Sequence, residues 1–322
     1  MTRIPVEDIT PEAPTLSEPK QFLDIRPLAK RIIARQSWFI AFIVLDIIIL
    51  YGIFTDPVLT EAWNYIIPGL GTTIQVTVIS FIGATIIGLI VAFGRISKNI
   101  FIYNVATFYV EIFRGLPLLV IILIFAFALV PAWVDLIAGT PPQVDAAGVV
   151  IAEGRPGIVF LDDILQRLVG IPDAQIATTT LRTRDIDPLI RIIFAFAVTY
   201  GAFMSEVFRA GIESIGKGQM EAARSLGMSY SKAMRFVILP QAIRNVLPAV
   251  ANNFILLLKD TSLASVVAVP EISHLTRQYA SNRFRYPEGL LVLSFLYANL
   301  TILLSMGVAW MEHRLNRDRH ED

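Results

Sequence analysis

Residues 211–240 read GIESIGKGQMEAARSLGMSYSKAMRFVILP, and how their opening is read decides what kind of protein this is. Gly211, four intervening residues, Gly216 and Lys217 satisfy the first seven positions of GxxxxGK[ST]. In that loop backbone amides cradle phosphates and the lysine reaches the terminal ones. An ATPase is the first candidate. The eighth position argues against it, because Gly218 stands where a Ser or Thr hydroxyl should hold magnesium. Context argues further: a phosphate loop sits between a buried strand and a helix, whereas Gly211 directly follows an apolar helical run with no strand signal. The likeness to a phosphate loop is accidental.

Composition names the solvent. The 322-residue chain is 55% hydrophobic and 17% charged, with a mean hydropathy of +0.62, far more apolar than a soluble domain. It belongs in a membrane. A net charge of zero points to no nucleic-acid partner, and the absence of cysteine removes disulfides, thiolate metal sites and thiol nucleophiles. His274, His313 and His320 are scattered through a loop and a tail; they read as solvated, and no metal site is expected.

A bilayer core about 30 Å thick needs roughly 20 apolar residues of helix. No charge occurs between Glu61 and Arg95, between Arg114 and Asp135, or between Glu288 and Glu312. Three further apolar intervals carry charges: Trp38 to Phe54 with Asp46, Pro188 to Phe208 with Arg191 and Glu206, and Asn245 to Val269 with Lys259 and Asp260. The expected fold is therefore all-α and transmembrane, with six spans. The first span reads as an uncleaved anchor, since about 35 polar residues precede it and no small-residue cleavage site follows.

Lysines and arginines near the span ends set orientation. Arg26, Lys30, Arg31 and Arg35, then Arg95 and Lys98, then Arg209 through Arg244, then Arg314, Arg317 and Arg319 all fall on one side of a six-span chain. That side is the cytoplasm, and both termini lie there. One connection dissents, with Arg277, Arg283 and Arg285 outside. The only sizeable outer segment runs from 131 to 187, where AGVVIAEGRPGIVF (147–160) reads as two β runs around a Gly/Pro turn and LDDILQRLVG (161–170) as a helix. A small outer cap and a solvated loop both remain open.

Glu221-Ala222-Ala223, three residues, Gly227, nine residues, then Val237, Leu239 and Pro240 resembles the EAA loop of ATP-binding cassette (ABC) importer permeases, with Val in place of Ile. SEVFRAGIESIGKGQMEAARSLG (205–227), LPQAIRNVLPAVANNFILLLKDTSL (239–263), GLGTTIQVTVIS (69–80) and EIFRGLPLLV (111–120) resemble segments of the polar amino acid uptake branch. Neither the first span nor the outer segment is covered. The loop also reads on its own terms: a short helix from Gln219 to Leu226 with Glu221 in its first turn, small Ala222 and Ala223 inviting close approach, Gly227 ending it, Ser229 capping the next helix and Pro240 ending that one.

Elsewhere, Ser80, Ala84, Gly88 and Ala92 recur every four residues and suit close helix packing. Pro248 predicts a kink in the fifth span. Asn252, Asn253, Lys259, Asp260, Thr261 and Ser262 make that span polar, as either a translocation path or an interhelical pairing. Glu206 and Arg209 are spaced to pair along one helix face, and Arg114 reads as a headgroup anchor.

The resemblance implies a permease subunit of a bacterial importer for polar amino acids in the plasma (inner) membrane, with ATP and magnesium bound by a separate ATPase dimer and no cofactor in this chain. The docking residues it implies are Gly218, Gln219, Glu221, Ala222, Ala223, Gly227, Leu239 and Pro240. Further implied partners are a second permease subunit, identical or homologous, and an extracytoplasmic amino-acid-binding protein. The expected organisation is a cytoplasmic segment 1–35, an additional helix and outer loop 36–65, a permease domain 66–314 with coupling loop 210–243, and a tail 315–322. An ion-coupled secondary transporter is the alternative, but no inverted repeat is evident. No cluster of catalytic side chains suggests an enzyme.

Overall fold

The computed structural model describes residues 26–140, 143–144, 150–152, 155–156 and 186–317, with side chains described at 38–137 and 186–314. The chain divides into two units, Met1–Tyr51 and Gly52–Asp322. The first enters helix α1 (Arg26–Thr55), in which Trp38 packs edge-on against Phe39 with ring centroids 5.6 Å apart.

The second unit is a helical bundle. Among the described residues, six stretches are long and apolar enough to cross a membrane: Trp38–Thr55, Pro57–Ile96, Leu118–Ile137, Pro188–Glu213, Tyr230–Val267 and Tyr286–Arg314. The second of these is not one helix. Asp56 accepts from the Val58 N–H at 2.8 Å and caps α2 (Pro57–Ile66), with Pro57 in its first turn. Pro68 then precedes α3 (Gly69–Ile96), because proline cannot continue the α2 hydrogen-bond ladder. A helix the sequence reading did not single out, α4 (Ile100–Gly115), is capped by Asn99. The third span begins as α5 (Leu118–Ile124), passes through a π turn (Phe125–Leu129) and ends as α6 (Val130–Ala138). The π turn shifts the carbonyl register, and Arg191 donates to the Ala126 carbonyl at 3.1 Å. That contact accommodates an arginine within the fourth span.

Four short strands follow: β1 (Gly139–Thr140), β2 (Gln143–Val144), β3 (Val150–Ala152) and β4 (Arg155–Pro156). β1 pairs with β4 and β2 with β3, both antiparallel. The first expected β run contains β3, whereas Arg155–Pro156, read as part of the Gly/Pro turn, is strand, and the second expected run, 157–160, lies outside the described residues. Val150–Ala152 and Arg155–Pro156 share one arm and pair back onto 139–144, since a local β signal does not say which strand is its partner. The helix expected over 161–170 lies outside the described residues.

Asp187 caps α7 (Pro188–Glu213), which is the most buried helix of the bundle. Its neighbour is α3. Ser80, Ala84, Gly88 and Ala92 are all buried, and the spacing does what was expected of it. A Cβ on Gly88 would lie 2.6 Å from the Met204 Cβ, 3.1 Å from the Ser205 nitrogen and 3.2 Å from the Gly201 carbonyl, so this is a seam of backbone against backbone. Phe81 of α3 joins α10 (Leu239–Asp260) and α12 (Tyr286–Arg317) around an open apolar groove of about 380 Å³ lined also by Leu247, Phe254, Leu304 and Gly307.

The connection between the fifth and sixth spans is helical too. Glu271 caps α11 (Ile272–Arg283), which packs on α2: Arg283 pairs with Glu61 at 2.9 Å and Tyr65 donates to Gln278 at 3.0 Å. Arg285 meets Glu288 at 3.5 Å. Two of the three dissenting arginines thus carry carboxylate partners. His274, read as a solvated loop residue, instead sits in the first turn of α11, half-buried, with Nδ1 3.4 Å from the Ser265 carbonyl.

Candidate functional site

The coupling stretch forms at one end of the bundle. Ser214–Gly216 joins α7 to α8 (Lys217–Ser225). This helix starts two residues earlier than expected, so Glu221 lies beyond the first turn and the dipole argument for it fails. Gly227 adopts φ +79°. Its N–H donates to the Arg224 carbonyl at 3.0 Å, and the Met228 N–H donates to the Ala223 carbonyl at 3.2 Å. That is the Schellman pattern, which places a left-handed residue just past the helix end. Ser229 caps the next helix by accepting from the Lys232 N–H at 3.4 Å.

Pro240 does not end that helix, and here the sequence expectation is corrected. α9 (Tyr230–Ala233) runs through a π turn (Met234–Ile238) into α10, with Pro240 in the first turn of α10. Leu239 donates to the Met234 carbonyl, five residues back. The widened turn makes room for the pyrrolidine ring where a regular ladder would clash. Pro248 likewise lies inside an unbroken α10. The outer surface of the loop exposes Gly218, Gln219, Glu221, Ala222, Gly227 and Pro240, whereas Ala223 is buried and Leu239 partly so. Leu226 is 84% and Phe236 64% exposed, an apolar display the motif reading did not include.

The polar residues of α10 separate into two groups. Asp260 accepts from the Tyr200 hydroxyl at 2.7 Å, and Thr261 is buried, donating to the Leu258 carbonyl. Asn253 turns back to the Ala249 carbonyl at 3.0 Å. Ser262 is partly buried. Asn252 and Lys259, by contrast, are exposed and share a stripe with Ala249 and Leu256, at the seven-residue spacing of one helix face. Among the described residues neither has a side-chain partner.

At the same end as the loop, Glu206 of α7 pairs with Arg209, as the spacing predicted. It also pairs with Arg95 from the last turn of α3, and Arg114 from the last turn of α4 stands 3.9 Å away. Arg114 is thus turned toward a carboxylate. Sequence spacing shows only the pair within α7; the signal for the others was a lone cation at the end of each apolar run.

At the far end of α3, the Ile272 N–H donates to Thr73 Oγ1 at 3.3 Å. Glu271 is fully buried; it accepts from the Ser273 and His274 N–H groups at 2.8 and 2.7 Å and from the Tyr297 hydroxyl at 3.3 Å. Burial pushes its carboxyl up to about 7, against these donors, which favour the charged form. An unfolded glutamate titrates near about 4.3. Between those values the folded state holds a proton the unfolded state has lost, so stability is full below about 4.5, falls as pH rises toward 7 and then levels. The fall is on the order of 3 kcal/mol. Thermal unfolding of the detergent-solubilised chain should therefore give a higher midpoint near about pH 5 than near about pH 8, and Glu271→Gln should flatten the difference. An unchanged slope in that variant would remove Glu271 as its source.

Six apolar spans among the described residues, a helical turn-out at one end and a polar stripe on a membrane helix define a multi-pass membrane protein. The chain belongs to the family described as binding-protein-dependent transport system inner membrane component, whose sequence profile matches residues 84–320. It is 30% identical over 260 residues to the probable glutamine ABC transporter permease protein GlnM of Bacillus subtilis, covering 81% of this chain and 97% of that one. It is 32% identical over 266 residues to the L-cystine transport system permease protein TcyB of the same organism, covering 81% and 91%. A crystal structure of an amino acid ABC transporter with histidines superposes with a TM-score of 0.58 at 27% identity, covering 79% and 96%.

Proposed function

We propose that this chain forms half of the membrane pathway of an ATP-driven importer of polar amino acids. The observation that carries the reading is the exposed stripe of Asn252 and Lys259 on α10. Polar groups at membrane depth face a bundle interior or a water-filled path rather than lipid. A second permease subunit, identical or homologous, would cover this stripe and complete the path, with Asp260, Thr261, Ser262 and Asn253 behind it. Relatives named for glutamine and cystine transport support the cargo class.

The chain would do no covalent chemistry and hold no cofactor or metal. A cytosolic ATPase dimer, binding ATP and magnesium, would grip α8 and the turn at Gly227, with Leu226 as the apolar contact. An extracytoplasmic binding protein would deliver the amino acid at the opposite face. Both termini would lie in the cytoplasm, on the side of the coupling loop. Uptake into cells or vesicles carrying the whole complex should persist with an uncoupler and stop when ATP is depleted. The reverse result would favour an ion-coupled transporter and overturn this reading.

A further inference from the structure

The carboxylate of Glu206 is held unequally by three arginines. Oε1 takes Arg209 of its own helix, which also reaches Glu213 at 2.5 Å. Oε2 takes Arg95 from the end of α3, while Arg114 from the end of α4 stands 3.9 Å from that same oxygen. Arg95 is 12% exposed and Arg114 44%. One oxygen therefore has a bound cation and a waiting one, and two guanidiniums crowded on it repel each other.

A structural account of this cluster is weak. α3 and α7 already close through the Gly88 seam, and partly buried ion pairs add little stability beyond what apolar packing supplies. What such a cluster supplies is a choice between discrete arrangements, the kind of contact that is repacked in two-state transitions. The α3–α7 seam leaves no room for sliding, and α4 packs on α3 through Ala106 and on α7 through Tyr109, whose hydroxyl donates to the Val198 carbonyl, so what can shift against Glu206 is the half-exposed Arg114 side chain itself. Glu206 lies two turns before the end of α7, and three residues separate that end from α8. A displacement of the coupling helix reaches Glu213 at that end and, through Arg209, which holds both carboxylates, is passed to Glu206.

We propose that Glu206 is a two-position ionic switch whose Oε2 trades Arg95 for Arg114 when the coupling helix moves. The structure holds the Arg95-bound position. Glu206 is a positioning residue in this scheme, and the proposal rests on the importer reading above.

The test uses the whole complex in liposomes, measuring uptake and ATP hydrolysis together. Removing the bound cation (Arg95→Gln) and removing the waiting one (Arg114→Gln) should shift substrate-free hydrolysis in opposite directions, each by several-fold. Glu206→Gln should lower uptake per ATP by about tenfold or more, the size of a typical coupling energy between sites, and Glu206→Asp should recover part of it. Shifts in the same direction for the two arginine variants, or none, overturn the switch. If Glu206→Gln does not reach the membrane, the arginine comparison decides alone. A wild-type complex without ATP-driven uptake would overturn the importer reading instead.

Discussion

Gly227→Val should cut amino acid uptake by roughly five- to thirty-fold while the chain still inserts and accumulates. The first link is the backbone: Gly227 sits at φ +79°, and a residue with a Cβ pays about 1–2 kcal/mol to stay there, most of all a β-branched one. Space is not the issue, since a Cβ at Gly227 would meet nothing within 4 Å. The second link is the turn, because the Arg224 and Ala223 carbonyls are satisfied only in that conformation. The strain converts into a lower population of the docking geometry at tenfold per about 1.4 kcal/mol. Because the segment is exposed and outside the spans, stability of the bundle should change little. The measurement is uptake beside ATPase recruitment in the same membranes. Full uptake by Gly227→Val would sink the docking role of this turn, and a charge change at Glu221→Lys, no longer supported by the helix dipole, should act only through contact with the ATPase.

Gly88→Leu should leave almost no folded protein. Its Cβ would fall within 2.6 Å of the Met204 Cβ and against the backbone of Ser205 and Gly201; backbone cannot swing aside as a side chain can. Overpacking costs about 1–3 kcal/mol where neighbours relax, and here the neighbours are a helix backbone, so the cost lies at or above that range. Gly71→Ala is the control. It is exposed in the same helix with nothing within 4 Å of its Cβ, and it should gain up to about 1 kcal/mol from helix propensity. Yield of monodisperse protein in detergent and its thermal midpoint read both. Equal yields for the two variants would contradict the seam.

The residues that were legible in sequence are those whose physics is local. Charge-free intervals locate spans because the bilayer acts on each segment separately, and the four-residue recurrence of Ser80, Ala84, Gly88 and Ala92 locates a packing face because a helix has one period. Gly227 and Ser229 were legible as caps for the same reason. What sequence could not show depends on register or on partners from elsewhere. Pro240 reads as a stop until the π turn at Met234–Ile238 is seen to absorb it. Glu206 reads as half of a pair until α3 and α4 bring Arg95 and Arg114 to it. Glu271 had no signal at all, because a capping carboxylate in a polar connection looks alike whether solvated or enclosed.

The seam between α3 and α7 and the groove beside Phe81 together partition the molecule's freedom. At Gly83 and Gly88 the two helices lie too close to admit even a methyl group, and relative motion there would have to be purchased with collisions. Beside that seam, Phe81, seven residues before Gly88 and so on the same face of α3, borders an apolar groove of about 380 Å³ that α10 and α12 line with residues such as Phe254, Leu304 and Met311. Free volume is thus distributed unevenly: α3 and α7 behave as a chassis, and the loosely filled joint lies along the Leu247, Val250 and Phe254 face of α10, turned away from Asn252 and Lys259.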